Sequence, residues 1–541
     1  MTNNTICQTA SGQSFNYGWS MPEGQVVYDE AGIKAMLMDL SRPVFVVNNG
    51  GRLGLANQDP VREPGAGAPV IAMASALPVE SLGNPDFGKA YGTAYPYYAG
   101  AMANGIASVE MVTALGKAGF LGSFGAGGLI PSAVEEAILG IQKALPRGPY
   151  MFNLIHSPHE PAMEQGAVEL YLKYGVNAVE AAAFMALTPH VVQYRVAGLT
   201  LDPQGSIVIG NRIVAKVSRK EVASRFMEPA PDKILSKLIT AGKITEEQAN
   251  MARQVPMADD VTVEADSGGH TDNRALVTIL PSILSLRDEI QEQRKYATPV
   301  RVGAGGGMGT PQAVLAAFVM GAEYIVTGSV NQACVESGAS DHVKGLLAKA
   351  DMADTVMAPS ADMFELGVRV QVLKRGSLFA VRATKLHDIY SRYESIEDIP
   401  CDQREKLENQ IFKKTLDEVW NNTVEFFSRR DPALVAKAEA DPKKKMALIF
   451  RWYLGLSSRW ANTGEPGREM DYQIWCGSCM GAFNAWVRGT DLEAPENRKV
   501  ADVARHLLRG AAYHHRLDAI RTLGVVFPSR IAVYRPETMA G

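Results

Sequence analysis

Short apolar runs alternate with longer amphipathic stretches through the middle of this chain. The apolar runs predict β-strands at residues 97–101, 120–124, 150–155, 178–183, 212–217, 261–265, 300–304 and 324–327. Between most of them, as at residues 108–118, 131–144 and 161–174, apolar side chains recur at the spacing of one helix face. Strands that alternate with helices form a parallel sheet, and eight such strands close a barrel. The pattern therefore predicts an α/β fold built on a (β/α)8 TIM barrel.

Two intervals between the predicted strands are longer than one helix and its loops require. Residues 188–211 contain an Asp-Pro-Gln-Gly turn, which predicts a hairpin. Residues 228–260 contain two helical patterns joined near Ala241. We expect both intervals to be insertions on the barrel plan.

The pattern changes on both sides of the barrel region. Residues 1–93 predict a small α/β appendage, with a helix at 30–40 and strands at 43–47 and 70–74. Residues 358–373 predict a helix that ends at Lys374-Arg375-Gly376. From residue 401 onward the chain is charged and helical in spacing. We therefore expect an appendage (1–93), a barrel (94–395) and a helical C-terminal substrate or partner region (396–541).

Two of the predicted strands end in turns that are rich in small residues. The strand at 300–304 runs into glycines at 305–307, and the strand at 324–327 ends in Thr327-Gly328-Ser329. In a TIM barrel the loops after strands 7 and 8 form the usual phosphate site, where backbone N–H groups bind the anion. A Rossmann turn is disfavoured, because Glu323 precedes its strand instead of following it. A purely structural glycine turn remains the alternative.

A histidine follows the predicted strand at 261–265. That strand runs into Asp266-Ser267-Gly268-Gly269-His270. The carboxyl ends of barrel strands carry the chemistry in TIM-barrel enzymes, so His270 is a candidate catalytic residue on the same rim as the two glycine turns. A structural histidine is the alternative interpretation.

These motifs carry a family resemblance. E-A-D-S-G-G-H (264–270), G-A-G-G-G (303–307) and V-T-G-S (326–329) resemble the FMN-dependent nitronate monooxygenase and flavin enoyl reductase superfamily. Residues 99–128, 181–199 and 475–490 resemble the PfaD-type enoyl reductase subunit of polyunsaturated-fatty-acid synthases, which also acts in trans in some polyketide synthases. The resemblance spans nearly the whole chain.

The resemblance implies a role for each rim position. FMN is expected as the cofactor and NADPH as the reductant, although the sequence does not distinguish NADPH from NADH. Lys216 is expected near the flavin ring, where a cation stabilises reduced flavin, and a solvated lysine is the alternative. His270 is expected to be catalytic. The expected flavin-binding residues are Ala101, Met102, Ala103, Asn153, Lys216, Gly268, Gly269, Gly305, Gly306, Thr327, Gly328 and Ser329.

Composition agrees with a soluble, cytoplasmic enzyme. The chain has 541 residues and a net charge of −4, which gives no reason to expect a nucleic-acid partner. Its five cysteines are odd in number and scattered, which argues against a disulfide framework, and we interpret the pair Cys476 and Cys479 as incidental. Residues 1–20 lack the features of a signal peptide. His156 and His159 lack partners at metal-binding spacing, so we expect rim positions and no metal site.

The resemblance implies reduction of the 2,3 double bond of enoyl chains on acyl-carrier-protein domains of a separate synthase. The alternatives are a nitronate monooxygenase-type flavin oxidase and a non-catalytic flavin-binding scaffold subunit. A homodimer is the default expectation for a large enzyme. Lys443 to Lys445 are either a docking site for an acidic carrier or a solvated face. Trp475, Met480, Phe483 and Trp486 are either an acyl-chain wall or plain helical core.

Overall fold

The computed structural model describes residues 8–9, 18–63, 67–156, 161–428 and 431–537. His159 and most of residues 1–20 lie outside these ranges. Within the described ranges, no helix is both long and apolar enough to cross a membrane.

The N-terminal segment forms a small sheet with one helix, as the sequence predicts. Its antiparallel strands lie in the order β2-β5-β3-β4. The helix α1 begins after Asp29, whose carboxylate accepts a hydrogen bond from the amide of Gly32. The elements of this segment are β1 (Gln8–Thr9), β2 (Ser20–Met21), α1 (Glu30–Met38), β3 (Val44–Asn49), β4 (Arg52–Ala56), β5 (Ala68–Ala74) and α2 (Pro85–Tyr91).

A closed barrel of parallel strands follows, and all eight predicted strands belong to it. The barrel strands are β6 (Tyr97–Ala99), β7 (Leu121–Phe124), β8 (Met151–Ile155), β9 (Ala178–Ala182), β12 (Arg212–Val217), β13 (Asp260–Glu264), β15 (Arg301–Gly305) and β16 (Ile325–Thr327). Around the barrel they lie in the order β12-β13-β15-β16-β6-β7-β8-β9. The TIM-barrel prediction is therefore confirmed.

Amphipathic helices cover the barrel, and both predicted insertions are present. The hairpin β10 (Leu199–Leu201) and β11 (Ile207–Ile209) occupies the first insertion, and the helices α8 (Asp232–Thr240) and α9 (Glu246–Ala252) occupy the second. The other helices of this part are α3 (Val109–Lys117), α4 (Pro131–Ala144), α5 (Pro161–Lys173), α6 (Pro189–Ala197), α7 (Lys220–Met227), α10 (Leu276–Arg294) and α11 (Pro311–Val319).

Large side chains fill the barrel below its mouth. The hydroxyl groups of Tyr98 and Tyr324 each lie 3.0 Å from the hydroxyl of Thr262, and all three side chains are buried. At the amino end of the strands, the guanidinium of Arg301 donates two hydrogen bonds of 2.7 Å to the fully buried carboxylate of Asp260. The barrel interior is thus packed, and the carboxyl ends of the strands are where TIM barrels place their ligand sites.

The chain leaves the barrel after β16, and here one prediction is wrong. Residues 358–373 do not form a helix: they contribute to β17 (Thr355–Pro359) and β18 (Arg369–Leu373), which follow the helices α12 (Ser329–Gln332) and α13 (Asp341–Ala348). Residues 370–373 are all buried. The strand β18 pairs on one edge with its neighbour β17 and on the other with β14 (Gly269–His270), which is distant in sequence. Tertiary pairing therefore overrides the local helical pattern.

The rest of the chain is helical, as predicted. Its long helix α20 packs against the barrel helices α11 and α3 and against α1 and β5 of the N-terminal segment. The buried guanidinium of Arg516 donates hydrogen bonds to the carbonyl oxygens of Leu37, Asp39 and Arg42. The division at residues 93 and 395 remains a prediction. The elements are α14 (Phe379–Arg392), α15 (Cys401–Leu407), α16 (Leu416–Ser428), α17 (Pro432–Ala440), α18 (Pro442–Thr463), α19 (Cys479–Val487), α20 (Val500–Thr522), β19 (Val525–Val526) and α21 (Ser529–Ala532).

Candidate functional site

Three neighbouring barrel strands bring the glycine turns and His270 to one mouth. β13, β15 and β16 are adjacent and parallel, so their carboxyl ends share one rim. Gly306 and Gly307 have φ values of +85° and +78°, which favour glycine. A Cβ added at Gly306 would lie 2.8 Å from the carbonyl carbon of Ala265, so this turn packs directly on the end of β13.

Open space lies beside other glycines of the two turns. A Cβ added at Gly307 or Gly328 would meet no atom within 4 Å. The backbone of both turns therefore borders open space with no side chain in between. Such an arrangement allows a phosphate group to approach the backbone closely.

A segment from the far C-terminal part covers this rim; we call residues 475–479 the strap. The amide of Gly477 donates a 2.9 Å hydrogen bond to the hydroxyl of Ser329, and the hydroxyl of Ser478 donates one of 3.0 Å to the carboxylate of Asp266. A Cβ added at Gly268 would lie 2.8 Å from the amide nitrogen of Cys476. The strap therefore binds the ends of β13 and β16 together.

The two cysteines of the strap have raised pKa values. Burial raises the pKa of Cys479 to about 11 and raises the pKa of Cys476 well above its usual value. Thiolates are the reactive form of cysteine, so neither side chain is set up as a nucleophile. The cysteines are free in the structure.

His270 lies on a short strand above the mouth. Together with Gly269 it forms β14, which pairs with Val370 and Gln371 of β18. Its Nε2 atom lies 3.1 Å from Oδ1 of Asp362, a residue of the loop between β17 and β18. The imidazole is 40% exposed. Burial alone would lower the pKa of His270, but the hydrogen bond and the charge of Asp362 outweigh it and raise the pKa.

Lys216 belongs to a cluster of charges inside the mouth. Its ammonium lies 2.8 Å from Oε1 of Glu264 and 3.6 Å from Oε1 of Glu180. Glu180 is fully buried and Lys216 is 19% exposed. Burial would lower the pKa of Lys216, but the two carboxylates raise it, so the lysine is a cation at neutral pH. The solvated-lysine alternative does not match this position.

The loop after β6 forms one wall of the mouth. The amide of Ala101 donates a 2.7 Å hydrogen bond to Oε2 of Glu180, and the side-chain amide of Asn153 donates one of 3.2 Å to the backbone carbonyl of Glu180. The carbonyl of Met102 accepts a hydrogen bond from the amide of Ala107, which turns residues 101–103 along the rim.

The helix α18 reaches this wall from the C-terminal part of the chain. The side-chain amide of Asn104, directly after Ala103, donates a 3.3 Å hydrogen bond to the hydroxyl of Ser458. The side-chain amide of Asn462 in turn donates to the carbonyl of Asn104 at 3.4 Å. The C-terminal helices therefore border the mouth directly.

Thr327 has a structural contact that the sequence does not reveal. Its hydroxyl is buried and hydrogen-bonds to the hydroxyl of Tyr97 and the side-chain amide of Asn331. Gly305 faces inward, where an added Cβ would lie 3.4 Å from the side chain of Thr262. The structure thus brings the predicted site residues to one end of the barrel, and their roles in binding remain predictions.

Glu180, Glu264 and Asp362 were missed by sequence reasoning. For Glu180 a signal exists, since it is a carboxylate inside an otherwise apolar strand (AVEAA); Glu264 ends a strand (DVTVE) that already contains Asp260 and gives a weaker signal. A charge in a strand buried on both faces is rare without a partner. Asp362 gives no comparable local signal, because it meets His270 only through the pairing of β14 with β18.

Other sequence candidates take part in internal contacts. The ammonium of Lys443 donates to the carbonyls of Tyr390 and Tyr393, and Lys445 lies 5.4 Å from the ring centre of Trp420. Phe483 is fully buried, which favours helical core over an acyl-chain wall at that position. The imidazole of His156 lies 2.9 Å from the buried carboxylate of Glu164, and His159 lies outside the described residues.

The mouth fits a flavin nucleotide. Oε1 of Glu180 is buried, lies 3.6 Å from the ammonium of Lys216 and has no hydrogen-bond partner within the described part of the chain, so it can accept from a ligand donor. The open backbone at Gly307 and Gly328 suits a phosphate. The cation of Lys216 lies inside the same mouth. The residues present therefore fit FMN in kind: a buried acceptor, an open backbone and a cation.

Models of known families match three parts of the chain. The model described as nitronate monooxygenase matches residues 87–415, more than half of the chain. The model of the PfaD N-terminal domain, from a fatty acid synthase, matches residues 19–76. The inserted helical domain of acyl-carrier-protein S-malonyltransferase matches residues 393–472.

Curated relatives come from fatty acid and polyketide assembly. A polyunsaturated fatty acid synthase subunit from a Thraustochytrium species is 53% identical over 447 residues, which are 81% of this chain and 30% of that protein. The polyketide biosynthesis protein PksE of Bacillus subtilis is 44% identical over 447 residues, 82% of this chain and 58% of that protein. The chain therefore spans less than two thirds of either relative.

A solved structure shares the fold over most of the chain. The enoyl reductase domain of MlnA, from the macrolactin biosynthesis cluster of Bacillus amyloliquefaciens, superposes with a TM-score of 0.78 at 42% sequence identity. The match covers 82% of this chain and all of that domain.

Proposed function

We propose that this chain, which belongs to the nitronate monooxygenase family and to the family of the MlnA enoyl reductase domain, is an FMN-dependent enoyl reductase. It reduces the 2,3 double bond of enoyl thioesters on acyl-carrier-protein domains of a separate synthase. The observation that carries the proposal is the convergence of β13, β15 and β16, which puts two glycine turns and His270 at one mouth. The relatives from polyunsaturated fatty acid and polyketide synthases support the substrate class.

Specific residues would hold the cofactor. The backbone at Gly306, Gly307 and Gly328 would bind the phosphate, and the wall at residues 101–103 would flank the ring. Bound FMN would supply two-electron chemistry, taking a hydride equivalent from NAD(P)H and passing it to the β-carbon of the enoyl group. Lys216 supplies a fixed positive charge inside the mouth, which stabilises negative charge that develops there.

His270 would complete the reaction as the proton donor. Reduction of the double bond adds a hydride at the β-carbon and a proton at the α-carbon, so a general acid is needed. Asp362 raises the pKa of His270, which favours the protonated imidazole that such an acid requires. With 40% of the side chain exposed, the imidazole can recover its proton from solvent after each turnover.

The test begins with the absorbance spectrum of the purified protein, which should show bound oxidised flavin. We then expect NADPH- or NADH-dependent reduction of crotonyl thioester, with no nitronate-dependent oxygen uptake. The opposite pair of results would establish a nitronate oxidase, and failure of both assays with no bound flavin would favour the scaffold alternative.

A substitution isolates the histidine. His270→Ala should lose most of the enoyl reduction while flavin stays bound. His514→Ala is the matched control, because that imidazole contacts Gln312 on the outer face of the barrel helices. Full activity in His270→Ala with flavin retained would contradict the proposed role of His270.

A further inference from the structure

The contact between Asp362 and His270 joins two parts of the chain at the mouth. His270 follows barrel strand β13, whereas Asp362 lies in the loop between β17 and β18, beyond the last barrel strand. The antiparallel ladder of β14, β18 and β17 holds the two segments in register. The carboxylate oxygen Oδ1 of Asp362 faces the ring atom Nε2 of His270 at 3.1 Å.

We propose that Asp362 is a positioning residue that fixes the tautomer of His270, so that Nδ1 is the nitrogen that carries the transferable proton. The carboxylate can only accept, and it therefore keeps a hydrogen on Nε2 whether the ring is charged or neutral. This leaves Nδ1 as the atom that loses and regains a proton. The inference deepens the proposed function and rests on it for the role of that proton.

The charges around His270 favour its acidic form. Among the described residues, the charges with the largest effect on the imidazole are Asp362 and Glu264, which stabilise the imidazolium, and Lys216, which opposes it. The ammonium of Lys216 is paired with Glu264 at 2.8 Å, so its opposition is largely neutralised at short range. The direct neighbour Asp362 therefore has the larger influence, and the imidazolium persists to a higher pH than in a free histidine.

The proton balance follows from this arrangement. The β-carbon receives the hydride equivalent, and the α-carbon receives the proton that leaves Nδ1 of the imidazolium. His270 is then neutral with its remaining hydrogen on Nε2, still donated to Asp362. A proton from solvent returns to Nδ1 and restores the acid.

Two substitutions test the charge and the tautomer together. Asp362→Ala removes the charge and the acceptor, whereas Asp362→Asn removes the charge and introduces an amide that can donate to Nε2 as well as accept from it. An opposite charge at this distance shifts a pKa by about 1–3 units, and partial exposure of both side chains points to about 1 unit. Both variants should therefore move the alkaline fall of the reduction rate about one pH unit toward acid, a loss of about tenfold above that range. Both variants should also lose the preference for Nε2–H, since neither keeps a group at this position that can only accept.

A measurement without substrate keeps this inference separate from the proposed function. The full-length protein is labelled with 15N-histidine, and the resonance of His270 among the nine histidines is identified with His270→Gln. The ring nitrogen shifts then report the pKa and the tautomer directly. Asp272→Asn is the matched control. It removes a carboxylate close to His270 in sequence that pairs with Arg219 at a distance of 2.9 Å, and it should leave the titration of His270 unchanged.

The outcomes are distinct. The inference is supported if neutral His270 carries its hydrogen on Nε2 and both Asp362 variants lower its pKa, with the rate profile following. A hydrogen on Nδ1, or an unchanged titration in both variants, overturns it. A rate lowered equally at every pH also overturns it, since that pattern indicates a merely structural role. If either variant fails to fold, raising the salt concentration of the unmodified protein tests the same pair, because screening should lower the pKa of His270.

Discussion

Substitution of Lys216 by methionine provides a stringent test of the charge cluster in the barrel mouth. In the structure one ammonium faces two carboxylates, at 2.8 Å for Glu264 and 3.6 Å for Glu180. Glu180 is fully buried, and one of its oxygens already lacks a hydrogen-bond partner among the described residues. Lys216→Met keeps most of the side-chain volume and leaves two negative charges close together with no cation between them.

The expected cost follows from burial. Removing one partner of a buried ion pair typically destabilises a protein by about 3–5 kcal/mol, because the other charge is left uncompensated. Lys216 and Glu264 are 19% and 23% exposed, so water reaches part of the cluster. We therefore expect a loss near the lower end, about 3 kcal/mol in the free energy of unfolding. Lys243→Met provides the control: Lys243 lies 3.6 Å from Glu169, both are about half exposed, and the loss should stay below about 1 kcal/mol.

A double substitution identifies the cause. Urea unfolding is measured for Lys216→Met, for Glu180→Gln and for the variant that combines them. Glu180→Gln removes the buried charge at nearly constant shape. If the uncompensated carboxylate causes the loss, the double variant should be more stable than Lys216→Met alone. A double variant that is equally or less stable would refute the electrostatic account and assign the loss to packing.

Three further substitutions test the turns, the strap and the base of the barrel. Gly306→Ala should lower flavin content and destabilise the turn by at least about 1 kcal/mol. The reason is that a Cβ is strained at a φ of +85° and would lie 2.8 Å from backbone atoms. Gly345→Ala, in open space on α13, is the control and should be neutral or stabilising. Ser329→Ala removes the acceptor for the strap amide, and should weaken flavin retention during gel filtration. Arg301→Leu leaves the carboxylate of Asp260 buried without its cation, with the hydroxyl of Tyr91 still donating to it, so urea unfolding should show a loss of about 3–5 kcal/mol; a loss within measurement error would contradict that account.

The barrel was predictable from the sequence because its signals are local. Each strand is a short, mostly apolar run that is largely buried, and each is followed by a helix. The alternation of the two patterns in the sequence therefore predicts the topology of the barrel. The same locality explains why the glycine turns and His270 could be placed on one rim from the sequence alone. Rim positions follow directly from the ends of β13, β15 and β16.

The remaining parts of the site depend on contacts between distant residues. Asp362 meets His270 across 92 positions of sequence, and Ser478 meets Asp266 across 212. No periodicity or spacing encodes such pairs. The wrong helix at residues 358–373 shares this cause in part, because β18 forms between its neighbour β17 and the distant strand β14.

The position of α20 has a consequence for how the chain acquires its shape during synthesis. The last barrel strand ends at Thr327, but this helix, which covers α11 and α3 and binds the end of α1 through Arg516, begins only at Val500. While the intervening residues are being translated, the nascent barrel exposes an apolar flank to water or to chaperones. The apolar faces of α11 and α3 are covered only after α20 has been synthesised, and the residues between the barrel and α20 are then held at both ends.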